Sequence, residues 1–467
     1  MSVSSRNSNH ELVSPRVFWA LLACGLVLRL AILWGASGVG VRIVDEQHYA
    51  QLASNVLAGH GFGWGPGDLT SIRPPLYPGL LVAIWSVFGD QNFQAVRVVQ
   101  MGLAMATTAG VYALGLRAFN PSVARFGAVL CWLYPSLVFF NALILTETLF
   151  ALLLVAFLLA AVALVQSPRP ANAVLCGAAL ALAALTRSVL WPVPLLLCPL
   201  FGFLITAPLR HRIALPLLVL ASYIAVVAPW AVRNTRVQGV LTIVDTMGGM
   251  NLRMGNYEHT PDDRMWDAVS LTGEQSWIAG FSVEPGQVPT EGRKDKWGQQ
   301  KAIEYILEHP GTTIRRSFIK FADFWSLERE FIAGVQAGLY SPPLWLAVAG
   351  SGFILGGYVL ILILAAGGAW LAPPQDWRVH VLMLFPVVVL AGAHTLVFGH
   401  SRYHVPLMPI LGLYAAHLLM RLPRLRPFPR LALVGASSTI AIAVTIWARQ
   451  VLIVDLPRIT AFLDRIG

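Results

Sequence analysis

Apolar runs of about 18 to 25 residues recur along the chain, and each is long enough to cross a bilayer as a helix. They predict spans at roughly 17–36, 97–117, 125–144, 147–166, 171–187, 189–206, 213–231, 343–366, 379–398, 404–420 and 431–453. The run Leu76–Phe88, about 13 residues, suits a re-entrant or interfacial helix instead. The pattern divides the chain into an N-terminal membrane module, 1–231, which includes a first external loop at 37–96; a long external loop, 232–341; and C-terminal spans, 342–467. In the first loop, Tyr49, Leu52, Ala53, Val56 and Leu57 recur at helical spacing, the mark of an amphipathic helix lying on a membrane. In the second, Ala302–Glu308 stops at His309-Pro310-Gly311. Thr312–Trp325 then sets Ile314, Phe318, Phe321 and Trp325 against Arg315, Arg316 and Lys320, a basic amphipathic helix for the headgroup zone.

Composition supports this reading. The chain is 56% hydrophobic and 12% charged, with a mean hydropathy of +0.66, which excludes a soluble globule and leaves an all-α polytopic membrane protein. The first run follows Arg6 and Arg16 as a signal peptide would, but it is too long, carries Arg29 and lacks a small-residue cleavage site, so it reads as a retained anchor. Arg29 is costly in lipid unless it snorkels or faces a polar cavity. Cys24, Cys131, Cys176 and Cys198 lie in or beside apolar runs and have no metal-ligand spacing. The net charge of +10 comes mostly from arginines at span ends, a topology signal that does not imply nucleic acid. If Leu76–Phe88 does not cross, Arg117, Arg125, Arg169, Arg210, Arg212, Arg421, Arg424, Arg426 and Arg430 all share the side of the N-terminus. The positive-inside rule then gives about eleven spans, a cytoplasmic N-terminus and an external C-terminus, as in a bacterial cytoplasmic membrane.

That parity puts Asp45, Glu46, Arg73, Glu147, Arg187, the long loop and His400–His404 on the external face. Each has a structural reading beside a chemical one. Asp45 and Glu46 either cap a helix and favour its dipole or perform chemistry. Arg73 is a snorkelling cation or a phosphate ligand, and Arg187 an interface anchor or a second phosphate contact. Thr146 reads as an N-cap, with Glu147 a first-turn acid or a second carboxylate facing Asp45. His400 and His404 have the spacing of helical metal ligands but no third partner; a divalent metal is not expected, and Arg402 between them reads better as an anion clamp.

In this order, Asp45-Glu46, Arg73-Pro74-Pro75-Leu76-Tyr77-Pro78, Thr146-Glu147, Pro229-Trp230-Ala231-Val232-Arg233-Asn234, Asn251-Leu252-Arg253-Met254-Gly255-Asn256, His309-Pro310-Gly311 and Arg402-Tyr403-His404-Val405-Pro406 resemble the GT-C glycosyltransferases that use polyprenyl-phosphate sugars. The likeness is strongest to the protein O-mannosyltransferase and aminoarabinose transferase group. It differs in having Glu147 where relatives often carry Asp, and in lacking the long soluble C-terminal domain of some of them. The resemblance implies a GT-C fold and a polyprenyl-phosphate-linked sugar as donor, with a lipid, glycan or protein as acceptor. It makes Asp45 the general base and Glu46 its helper, with Glu147 as the second carboxylate. Arg73, Arg402, Arg187 and Tyr403 would hold the donor phosphate, and His48, Asn251 and Asn256 would serve the acceptor side and loop. The rival readings are a transporter or flippase, which would predict internal repeats and broken mid-membrane helices, and a polymerase or ligase acting on pyrophosphate-linked glycans.

Overall fold

The computed structural model describes residues 13–262, 264–422 and 428–456; Arg6, Arg424 and Arg426 lie outside the described residues. The chain is a multi-pass helical membrane protein. In order, its helices are α1 (Pro15–Gly35), α2 (Val44–Leu57), α3 (Leu76–Phe88), α4 (Phe93–Ala118), α5 (Pro121–Leu133), α6 (Pro135–Ala142), α7 (Glu147–Gln166), α8 (Pro170–Ala184), α9 (Pro194–Leu204), α10 (Leu209–Gln238), α11 (Gly248–Gly255), α12 (Glu291–Glu308), α13 (Pro310–Phe324), α14 (Glu330–Gln336), α15 (Leu344–Leu371), α16 (Trp377–Leu396), α17 (Met408–Arg421) and α18 (Arg430–Arg449). A two-stranded antiparallel hairpin, β1 (Gly63–Gly65) and β2 (Asp68–Leu69), follows α2.

Eight helical stretches among the described residues are long and apolar enough to cross a membrane, and a ninth arises if α5 and α6 count as one bent span. Residues 125–144, expected as one straight span, break by 46° at Tyr134-Pro135, because proline clashes with the preceding turn and drives the residue before it to extended backbone. The expected spans at 171–187 and 189–206 become α8 and α9, of 15 and 11 residues. At 1.5 Å per residue α8 covers about 22 Å, less than the roughly 30 Å hydrocarbon core. Pro192 and Pro194 interrupt the run between them. Trp34, Leu195, Phe353, Val388 and Leu431 point outward as a lipid-facing surface does, while α7 and the stretch Ser401–Arg421 are the most enclosed of the eight. The mouths of those two carry Glu147 and Arg402.

The extramembrane helices pack on the protein. In α2, Tyr49, Ala50 and Ala53 join the core with Tyr77 and Leu81 of α3, and the rings of Tyr49 and Tyr77 meet edge to face at 5.1 Å. On α13, Arg316 and Lys320 also turn inward, while Arg315 stays exposed and pairs with Asp262. Arg316 donates to the carbonyls of Tyr257 and Thr260, and Lys320 to Asn256 Oδ1 and the Leu396 carbonyl. Burial, with Arg316 nearby, holds the Lys320 ammonium down to about 7. The exposed face also carries Ile314 and Phe318. Arg316 and Lys320 add donors to carbonyls of the 257–260 loop and of the end of α16.

Candidate active site

Five chain segments converge on one polar cluster, and hydrogen bonding explains how the start of α2 and the turn before α3 arrive there. Helix α2 starts at Val44 because Glu46 folds back onto the chain before it. Its Oε2 accepts from the backbone N–H groups of Arg42 and Ile43, and its Oε1 accepts from the Ile144 N–H at 2.9 Å. Glu46 thus satisfies orphan donors at a helix end and pins α2 to the turn before α7. Arg73 is brought in by the turn before α3, where the Leu76 N–H donates to the Leu185 carbonyl at the end of α8. Arg187 follows α8 by three residues, and Arg402 sits in the 3-10 turn Ser401–Tyr403, the first of two ahead of α17.

Asp45 is the meeting point. Its Oδ1 accepts from Arg73 Nη2 at 2.6 Å and its Oδ2 from Arg402 Nη1 at 2.9 Å. Arg402 also bonds Glu147 Oε1 through Nε, so one guanidinium bridges the two carboxylates. Arg187 reaches the same Glu147 oxygen at 2.6 Å and the Thr146 hydroxyl at 3.0 Å. Thr146 therefore serves Arg187 and makes no side-chain cap to α7. Glu147 is fully buried, whereas Asp45 retains 27% of its side-chain exposure and is the carboxylate an entering molecule can meet. Both sit in the first turn of a helix, where the dipole favours negative charge. Burial would push the Asp45 carboxyl up, but Arg73, Arg402 and then Arg187 outweigh it and hold the group well below the usual carboxylate range.

Three guanidinium groups are ion-paired with two carboxylates, so the hydrogen-bonded set is rich in arginine. Two buried atoms, Arg73 Nε (a donor) and Glu147 Oε2 (an acceptor), have no partner among the described residues. An arginine-rich, partly open cluster with unspent hydrogen-bonding capacity can receive a small anion and a hydroxyl together.

The remaining expected site residues fall in three places. His48 joins the cluster: its Nδ1 faces Arg73 Nη2 at 3.0 Å. Because arginine only donates, Nδ1 is the acceptor and the ring proton sits on Nε2. Burial, with Arg73, pushes the imidazole pKa down. Tyr403 lines the cluster beneath Arg187, 5.8 Å from its guanidinium, and stacks on His394 at 4.1 Å. Asn251 and Asn256 have no hydrogen bond or ion pair to the cluster among the described residues. Asn256 is buried, donating to the carbonyls of Leu252 and Leu396. The glycines around these asparagines allow close backbone packing: a Cβ on Gly249 would lie 2.0 Å from the Asp295 carbonyl, and one on Gly255 1.8 Å from that of Val397. His400 and His404 diverge, toward Glu330 and Glu328 respectively. Arg29 is buried inside the bundle, donating to Asn141 Oδ1 and the Trp132 carbonyl.

Asp245 is a neighbour that sequence reasoning missed. It accepts from the Met247 N–H at 3.2 Å and from the Ser188 hydroxyl, and it lies within electrostatic reach of Arg73. Burial pushes its carboxyl up to about 6 against those hydrogen bonds. Its one sequence signal is an isolated acid following Ile243-Val244 just past the long helix α10.

No curated protein matches the chain. Among solved structures, it resembles the oligosaccharyltransferase of Archaeoglobus fulgidus at 12% identity with a TM-score of 0.49, covering 93% of this chain and 56% of that one. A structure of the archaeal oligosaccharyltransferase AglB from Archaeoglobus fulgidus, with an inhibitory peptide and a dolichol-phosphate, aligns at 13% and 0.48, over 91% of this chain and 55% of that one. ArnT from Cupriavidus metallidurans, in a structure bound to undecaprenyl phosphate, aligns at 13% and 0.41, covering 86% of this chain and 78% of that one. The chain thus spans little more than half the length of the archaeal enzyme. Over residues 72–232, the stretch that supplies Arg73, Glu147 and Arg187, the sequence matches the family model described as dolichyl-phosphate-mannose-protein mannosyltransferase.

Proposed function

We propose that this protein is an integral-membrane glycosyltransferase that moves a sugar from a polyprenyl-phosphate donor to an acceptor hydroxyl, with the Asp45 cluster as its active site. The observation that carries the reading is the convergence of three arginines on two carboxylates, one of them partly open. A polyprenyl-phosphate sugar is a phosphodiester with one negative charge, and it leaves as a monoester with two. A cluster of three arginines holds the first charge and stabilises the second as it develops, most strongly where bidentate contacts are available. The family-model match over residues 72–232 supports the same assignment.

The acceptor oxygen attacks the anomeric carbon, the bond from that carbon to the phosphate oxygen breaks, and its electron pair departs with the phosphate. Asp45 takes the acceptor proton. As Arg73 and Arg402 turn their donors toward the phosphate, the pull that makes Asp45 so weak a base relaxes at the moment a base is required. Leaving-group protonation is dispensable for so good a leaving group, and in-line attack inverts the anomeric centre. Glu46 orients the base by fixing the start of α2, and Glu147 holds Arg402 and Arg187 in place. Tyr403 closes the phosphate side. His48 lies on the acceptor side, and Asn251 and Asn256 belong to the loop that frames it.

With Leu76–Phe88 as an interfacial helix, the site faces the outside of a bacterial cytoplasmic membrane and the N-terminus faces the cytoplasm. In this scheme 1–231 is the catalytic membrane module, 232–341 its external cover and 342–467 the closing helices. The test is to incubate purified protein in nanodiscs with labelled polyprenyl-phosphate sugars and candidate acceptors, comparing wild type with Asp45→Asn. Transfer that survives the substitution unchanged overturns the mechanism. Lipid translocation without transfer points to the transporter.

A further inference from the structure

Two residues beyond Arg402, His404 enters a buried network unlike the cluster beside it. Glu328, 2% exposed, accepts from the Tyr134 hydroxyl at 2.7 Å on Oε1 and from the Ser136 hydroxyl on Oε2. His404 Nε2 lies 3.1 Å from the same Oε1. The other ring nitrogen, Nδ1, contacts the Phe324 carbonyl. A carbonyl can only accept, so Nδ1 carries a proton whatever the state of the ring. One further proton then lies between Nε2 and Oε1, as imidazolium with carboxylate or as imidazole with carboxylic acid, and the pair is neutral either way.

The surroundings of the pair are rigid. Tyr358 and Trp325 sandwich the His404 ring at 4.7 and 5.7 Å, with interplanar angles of 12° and 11°. The Trp325 carbonyl accepts from Tyr358 and Trp447, and the Leu327 N–H donates to Gln450 Oε1, so the 324–328 linker is bolted to α15 and α18. Tyr134 and Ser136 flank the proline break between α5 and α6, and that break gives both hydroxyls access to Glu328. By contrast, the backbone of the Arg402 turn is held by three local bonds, the Arg402 N–H to His400 Nδ1, the Tyr403 N–H to the His400 carbonyl and the His404 N–H to the Ser401 carbonyl, with the Ser401 hydroxyl reaching Glu330 Oε1 at 3.2 Å. A short 3-10 turn of this kind has little intrinsic stability.

We propose that Glu328 and His404 form a neutral, proton-sharing latch that positions Arg402, holding the 401–404 turn against the external linker and the α5–α6 break so that one guanidinium can span Asp45 and Glu147. Glu328 is a positioning residue and touches no substrate. The part of the inference that concerns catalysis rests on the transferase reading, while the part that concerns the turn does not.

The test uses the full chain in nanodiscs. Glu328→Ala removes the acceptor from three buried donors, whereas Glu328→Gln keeps an acceptor for Ser136 on its carbonyl oxygen and can donate from its amide to the bare Nε2 of neutral His404 and to the Tyr134 oxygen. Hydrogen–deuterium exchange at the amides of 402–404 is expected to quicken at least about tenfold in Glu328→Ala and to stay near wild type in Glu328→Gln. Wild-type exchange in Glu328→Ala overturns the latch. In transfer assays, Glu328→Ala is expected to lower kcat more than it changes KM, because Arg402 acts on charge that builds in the transition state. Glu328→Gln should rescue it, and the loss should vanish in an Arg402→Gln background. An undiminished loss in that background makes Glu328 merely structural and overturns the positioning role. If exchange responds as expected while wild-type protein transfers no sugar, the latch stands and the transferase reading falls.

Discussion

The Arg402 cluster and the Glu328–His404 network begin two residues apart in one turn, yet their polar groups are balanced in opposite ways. Around Glu328 every donor meets an acceptor, the charges cancel, and all four side chains are buried. Around Asp45 three arginines meet two bonded carboxylates, two buried atoms lack partners among the described residues, and the central carboxylate is partly open. A closed, balanced network specifies a geometry, and an open, unbalanced one leaves interaction energy for something else. Polar character alone would not have separated them.

The sharpest way to break this contrast is Asp45→Asn. It keeps the shape of the side chain, removes the base, and is expected to lower transfer by roughly 10²- to 10⁴-fold, with a fall in thermal midpoint at neutral pH from the loss of its two ion pairs. Glu147→Ala tests whether the cluster also has a structural half: removing a fully buried carboxylate from two arginines is expected to destabilise the protein by about 3 kcal/mol, read as a fall in thermal midpoint in detergent. An unchanged midpoint would show that the arginines do not depend on it. Glu46→Ala separates the two adjacent acids. It deprives three backbone N–H groups of their acceptor, so we expect about 2–3 kcal/mol of lost stability and a smaller kinetic loss than in Asp45→Asn.

The smallest effect concerns pH. Asp245 titrates near 6 in the fold against an ordinary 3.8, so the fold disfavours its ionised form. Its destabilising effect is absent below pH 3.8 and grows as pH rises to about 6. Asp245→Asn should therefore raise the midpoint by an amount equivalent to about 1–2 kcal/mol at pH 8 and scarcely at all near pH 4, a profile measurable by thermal unfolding at the two pH values. Asp45 has the opposite sign. Its folded-state pKa lies below the ordinary value, so the stability it contributes is present above about pH 4 and is lost as pH falls through the folded value.

Much of the helical framework was legible along the chain. Hydropathy marks a segment's cost in water independently of its neighbours, and the apolar runs became helices close to their expected bounds. Where the reading failed, a local breaker or a tertiary partner intervened. Tyr134-Pro135 bent one span, and Pro192 and Pro194 shortened two others. On α13 the periodicity was visible, but the carbonyls that bond Arg316 and Lys320 come from residues 56 to 76 positions away. Asp245 escaped notice because nothing near it in sequence suggests Ser188 or Arg73 as neighbours.

By itself the sequence determined that this is a membrane protein with scarce charge concentrated at helix mouths, and it picked out Asp45, Arg73, Glu147, Arg187 and Arg402 as worth explaining. Only the tertiary structure decided how they meet. Asp45 and Glu46 are adjacent, but successive residues on a helix point about 100° apart. One faces the arginines and the other faces three backbone amides. Arg402 meets Asp45 across 357 positions of chain, a pairing set by the packing of α7 and α17 and by no local pattern.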